Sequence, residues 1–155
     1  MDSDIDTPLV CAASNGHNEV LKILLQAGMA PDMLNQRGDT ALMWAVQNGR
    51  ENCMLTLLQA GASVNLHSIT GGYTALMCAA CEGKVGCLQL LLSLPIIKFN
   101  AKKKFPSGQS DGCTALMFSV MEGRREDGMS ASHLRCTELL LQAGADPNLR
   151  DSSGD

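Results

Sequence analysis

Tyr73-Thr74-Ala75-Leu76-Met77-Cys78-Ala79-Ala80-Cys81-Glu82-Gly83 is one of four near-copies of a single phrase in this chain. The others are Asp6-Thr7-Pro8-Leu9-Val10-Cys11-Ala12-Ala13-Ser14-Asn15-Gly16, Asp39-Thr40-Ala41-Leu42-Met43-Trp44-Ala45-Val46-Gln47-Asn48-Gly49 and Cys113-Thr114-Ala115-Leu116-Met117-Phe118-Ser119-Val120-Met121-Glu122-Gly123. In each copy the Gly stands nine residues after the Thr, and the threonines lie 33, 34 and 40 residues apart. Self-similarity at such a period marks a stacked array of small units.

Each copy opens like a helix. A Thr side chain can accept an otherwise unpaired backbone N–H, Pro8 suits the first helical position, and the closing Gly can take the left-handed conformation that ends a helix. A second helix follows, with an apolar stripe at helical spacing: Val20, Leu21, Leu24 and Leu25, then Cys53, Met54, Leu57 and Leu58, then Cys87, Leu88, Leu91 and Leu92. Gly28, Gly61 and Gly144 stand at the ends of three second helices, and Pro95 takes that offset in the third unit. One such pair cannot bury its apolar face alone, so neighbours must stack.

Thr7-Pro8-Leu9-Val10-Cys11-Ala12, the Gly16-His17 pair and Leu-Leu-Gln-Ala-Gly at residues 24–28, 57–61 and 140–144 resemble the ankyrin repeat family. Met43, Met77 and Met117 replace the motif's His, and Ala replaces its Pro in three copies, without threatening the fold. The resemblance implies an all-α solenoid of stacked helix-turn-helix units with β-hairpin-like fingers. Residues 1–155 then form a single domain, with repeats near 4–35, 36–68, 69–109 and 110–150 and the start of another at 151–155. The last residues mirror 34–39 and stop before the expected Thr, and Ile5 stands where Gly38, Gly72 and Gly112 stand, so the chain reads as a segment of a longer array.

Composition narrows the function. Hydrophobic residues make up 45% of the 155 and aromatics only 3%, which fits a core of Ala, Leu, Met and Val and argues against a deep aromatic pocket. A net charge of −4 disfavours nucleic acid as partner. No apolar run approaches the ~18 residues a membrane span needs. Five of the seven cysteines read as core: Cys53, Cys87 and Cys136 share Val20's place, and Cys11 and Cys78 share that of Trp44 and Phe118. Cys81 and Cys113 are expected to be exposed. The odd cysteine count and the lack of a small secreted scaffold point to a reducing compartment, the cytoplasm with the nucleus left open.

Two insertions break the period. Residues 96–109 enlarge the third finger; Ile97, Phe99 and Ala101 alternate with Lys98, Asn100 and Lys102 as in a short strand. Residues 124–132 are polar and broken by Gly128, which predicts a loop between the two helices of the fourth repeat.

No nucleophile, base and orienting group fall at a telling spacing, and no phosphate-binding Gly-rich loop is present. His17 belongs to the Gly-His turn, while His67 and His133 read as surface residues in turns. Cys78, Cys81 and Cys87, with His67, are the candidates for a metal or thiol sensor, but a second ligand pair is missing.

The family resemblance implies a non-catalytic protein-binding surface, a concave face formed by fingers and inner helices, with no cofactor and a monomeric domain. Its variable positions, carried over, are Gln36, Arg37, Asp39, Gln47 and Asn48; then Thr70, Gly71, Tyr73, Cys81 and Glu82; then Ser110, Asp111, Cys113, Met121 and Glu122. Lys102, Lys103 and Lys104 add a basic finger that either solvates its own tip or docks an acidic partner. Tyr73 is the only Tyr and a candidate hot spot; Trp44, the only Trp, reads as core. The remaining alternative is the targeting arm of an enzyme whose catalytic domain lies outside these residues.

Overall fold

The structure, a computed structural model, describes residues 6–104, 112–125 and 128–152. Helices pair along the chain: α1 (Pro8–Asn15) with α2 (Asn18–Gln26), α3 (Ala41–Gln47) with α4 (Glu51–Gln59), α5 (Ala75–Cys81) with α6 (Val85–Leu92), and α7 (Ala115–Glu122) with α8 (Ala131–Gln142). First helices stack on one another to make an inner layer, and second helices stack behind them as an outer layer. The result is an all-α helix-turn-helix solenoid.

The caps behave as the sequence predicts. Thr7, Thr40, Thr74 and Thr114 each accept the backbone N–H three residues on, from Val10, Met43, Met77 and Met117, at 3.2, 3.3, 3.3 and 3.4 Å. Gly16, Gly49 and Gly83 follow their helices with φ of 80°, 67° and 60°, whereas Gly123 stays right-handed at −71°. The repeated Leu of the phrase, Leu9, Leu42, Leu76 and Leu116, is buried in every copy. Leu21, Met54, Leu88 and Leu140 meet it from the outer layer, so one apolar seam runs through all four pairs.

Among the described residues the connecting loops do not form the expected β-hairpin-like fingers. Among those residues they contain only an isolated bridge, Leu34 to Thr40. Part of their backbone is satisfied sideways. Ile69 N–H donates to Gly38 carbonyl at 3.0 Å, Thr70 N–H to Arg37 carbonyl at 3.2 Å, and Lys104 N–H to Gly72 carbonyl at 3.2 Å. These stitches join neighbouring loops and share the backbone groups with a few bonds inside each loop, such as Asn35 N–H to Asp39 carbonyl at 3.0 Å and Ser68 N–H to Tyr73 carbonyl at 2.8 Å. The approach is close enough to demand glycine. Gly72 has φ 68°, and a Cβ there would lie 2.2 Å from the Lys104 carbonyl oxygen.

Residues 97–101 are not a strand either. Ile97 and Ala101 N–H groups donate to carbonyls three residues back, those of Leu94 and Lys98, while Lys98 N–H donates to the Asn65 side chain at 3.0 Å. Ile97, Phe99 and Ala101 do pack on the core while Lys98, Asn100 and Lys102 are exposed, so the alternation arises from successive turns. The second insertion holds the one sheet seen among the described residues: β1 (Arg124–Arg125) pairs antiparallel with β2 (Gly128–Met129). There α8 starts at Ala131, inside the stretch read as loop, and His133 lies on this helix, half-buried, with Nε2 donating to the Cys81 carbonyl at 2.9 Å.

Three burial expectations need correction. Cys11 is exposed, because its position faces the open side of the inner layer rather than the seam. Cys113 is buried at 7%, with its carbonyl accepting from Lys103 N–H at 2.8 Å. Val20 is 49% exposed where Cys53, Cys87 and Cys136 are buried, since no described helix lies on its side of α2.

Candidate functional site

In the first three units the residue before the capping Thr points at the next loop. Asp6 accepts from Asn35 Nδ2 at 2.9 Å, and Asp39 accepts from the Ser68 hydroxyl. Tyr73 occupies the same place in the third unit, and there the partner is Lys103, whose Nζ lies 4.4 Å from the ring centroid. The same ammonium is 5.8 Å from the Phe118 ring, which tilts against Tyr73 with centroids 5.2 Å apart. A cation–π contact has taken over the role of an aspartate–hydroxyl bond.

Beside this row, inner helices α3 and α5 and the loops that precede them enclose a cavity of about 340 Å³. Met43, Trp44 and Gln47 come from one helix and Cys78, Cys81 and Glu82 from the end of the other; Arg37, Asp39, Ser68, Thr70, Gly71 and Tyr73 form the loop wall. The chain's single Trp and single Tyr converge here, which the low aromatic content did not suggest. Trp44 is half-buried, with Nε1 fully covered and unpartnered.

Of the sequence-predicted residues, Arg37, Asp39, Gln47, Thr70, Gly71, Tyr73, Cys81 and Glu82 are brought together around this cavity. Thr70 Oγ1 also donates to Arg37 carbonyl at 2.6 Å. Gln36 and Asn48 are exposed outside it, Asn48 Nδ2 donating to Trp44 carbonyl at 2.9 Å. Met121 and Glu122 are exposed farther along, at the end of α7. Met121 borders a second, apolar groove of about 410 Å³ with Leu116, Met117, Val120, Leu141 and Leu149. Cys113 faces inward, and Ser110 and Asp111 lie outside the described residues. Lys103 is half-buried against Tyr73, and exposed Lys102 reaches Arg150 carbonyl at 3.0 Å while its own carbonyl meets His67 Nε2 at 3.2 Å. Lys104 is exposed and holds Gly72 through its backbone.

Sequence reasoning missed Trp44 as a lining residue. It precedes Gln47 by three positions and so shares its helix face, a signal that was present in the spacing.

The thiols are kept protonated. Burial, then Cys81, Asp39 and Glu82, push Cys78 up to about 12. Burial, Glu122 and Glu82 push Cys81 up to about 11 against the opposing charge of Lys103. Cys87, on α6 in the other layer, is raised to about 11, chiefly by burial. All seven cysteines are free, and no group of three or more His, Cys, Asp or Glu among the described residues could hold a metal ion. Among the same residues no helix is long and apolar enough to cross a membrane.

Comparison with known proteins agrees with this architecture. The chain is 31% identical over 156 aligned positions to a probable E3 ubiquitin-protein ligase, XBOS32, of Oryza sativa subsp. japonica; the match takes in 90% of this chain and 31% of that protein. It is 29% identical to E3 ubiquitin-protein ligase XBAT32 of Arabidopsis thaliana, over 90% of this chain and 30% of the relative. Zinc finger CCCH domain-containing protein 24 of Oryza sativa subsp. japonica is 41% identical over 52% of this chain and 9% of its own length. The chain thus spans under a third of each of these relatives. A family model described as ankyrin repeats (3 copies) matches residues 1–68 and again residues 65–151. With nearly the whole chain covered by that model, the protein belongs to the ankyrin repeat family.

Proposed function

We propose that this chain is a non-catalytic recognition module that holds a protein partner against the open side of its inner helices. The observation that carries this reading is the convergence of Arg37, Asp39, Gln47, Thr70, Tyr73 and Glu82, drawn from two repeats, on one cavity. Repeat arrays use such a surface because the framework holds its shape while loop and helix-end residues vary. The rest of the site follows the same row, through Gln36 and Asn48 to Met121 and Glu122. A photo-crosslinking residue at position 47 or 70 is expected to capture a partner that the same residue at position 89, on the outer layer, does not. The purified partner should then lose binding to a Tyr73→Ala variant. Equal capture from position 89 contradicts the reading.

A second reading concerns the longer protein. Two relatives are E3 ubiquitin-protein ligases by name, and this chain aligns to less than a third of each. We propose that the concave face presents a captured protein for ubiquitin transfer by a part of the protein outside residues 1–155. Transfer to the captured partner by the full-length protein should fall with Tyr73→Ala. Transfer indifferent to that change removes the recruiting role.

A further inference from the structure

The cavity between α3 and α5 has a chemistry that narrows its ligand, if the concave-face reading holds. Nε1 of Trp44 is covered, so the part of this half-buried side chain that borders the cavity is ring carbon, without a donor. Tyr73 supplies a second ring, and this ring already carries an ammonium, that of Lys103, at 4.4 Å. Two carboxylates line the same cavity, Asp39 half-buried on the loop wall and Glu82 exposed at the end of α5.

Carboxylates outnumber cations around the cavity. Asp39 and Glu82 both act on the Cys78 thiol at the cavity's edge, and Glu122 joins Glu82 in acting on Cys81. The cations nearby are Arg37 on the loop wall and Lys103, which lies over the Tyr73 ring. A volume near 340 Å³ sits at the small end of ligand cavities, roughly 300–1,000 Å³, and suits a side chain better than a folded surface.

We infer that this cavity receives an arginine or lysine side chain from an extended segment of the partner. The aliphatic stem would lie against Met43 and the Trp44 ring, and the cationic head would meet the aromatic face and the Asp39 and Glu82 carboxylates. Aromatic rings attract cations through their negative faces, and carboxylates add charge-assisted hydrogen bonds. An acidic segment would meet like charge here, and a wholly apolar one would leave both carboxylates desolvated without a partner.

The test uses a randomised decapeptide library selected on the purified chain. Selected peptides are expected to share one basic residue and to move the NMR signal of the Trp44 indole. Replacing that residue by norleucine should weaken binding about tenfold, as expected for a partly desolvated cation–π contact. Glu82→Gln, at an exposed position that leaves packing untouched, should weaken it severalfold and flatten its salt dependence. Peptides that move the Trp44 signal yet tolerate norleucine overturn the inference while the concave-face reading stands. A library that yields no binder, or peptides that leave the Trp44 signal unmoved, overturn both.

Discussion

At the scale of single residues, repetition is the strongest guide to burial. Leu76 is 2% exposed, and its equivalents are buried in every copy. Leu76→Ala should therefore cost about 2–5 kcal/mol, read as a shift in the denaturation midpoint; an unchanged midpoint contradicts the seam. Glycines separate into two kinds. Gly28 has φ 93° with nothing within 4 Å of a built Cβ, so Gly28→Ala should cost only the left-handed strain, about 1–2 kcal/mol. Gly72→Ala adds a collision with the Lys104 backbone and should cost clearly more in the same assay. The thiols give a pH signature. Cys81, Cys87 and Cys136 are raised from 9.0 to about 11 and Cys78 to about 12, so the folded state keeps protons that the unfolded state releases. Their contribution is complete below pH 9 and is lost as pH rises toward 11 and 12, so the melting temperature should fall across that window. A flat profile there rules the linkage out. Trp44 and Cys11 show what repetition does not convey. A shared position fixes the direction of a side chain, but the cover above it comes from whichever loop is next. Phe118 is buried under Tyr73, whereas Cys11 is exposed.

At the scale of elements, helices were legible and loops were not. The Thr caps, the closing glycines and the period of the apolar stripe are local signals, and the first three helix pairs begin and end where they direct. Thr40→Ala should cost about 1 kcal/mol by chemical denaturation, with no change in the cavity residues' NMR shifts; a larger rearrangement would mean the cap is more than local. Loop structure depends on neighbours 30 or more residues away, and this is why hairpins were expected where lateral stitches are found. The three lysines of the third loop illustrate the difference. In sequence they form a charge run; in the fold Lys103 turns inward over Tyr73 and Lys102 reaches toward residue 150. Lys103→Ala should lower stability by about 0.5–1 kcal/mol, while Lys98→Ala, at an exposed position, should change it little. Equal effects would remove the stitch.

At the scale of the molecule, two layers divide the labour. The outer helices bury Met54, Leu88 and Leu140 behind the seam, and the inner helices with their loops keep one side open. Eight of the fifteen positions carried over from the family lie around one cavity only because adjacent repeats superpose residues 33 or 34 apart; the sequence period held that information, and the third and fourth units, with their insertions, carry less of it. The central claim is that the open side of the inner layer is where a partner sits. Hydrogen exchange with the crosslink-identified partner bound tests it most directly. The account predicts slowed exchange in residues 35–39 and 68–73 and at the ends of α3 and α5, with α2, α4, α6 and α8 unchanged. Protection confined to those outer helices would contradict it.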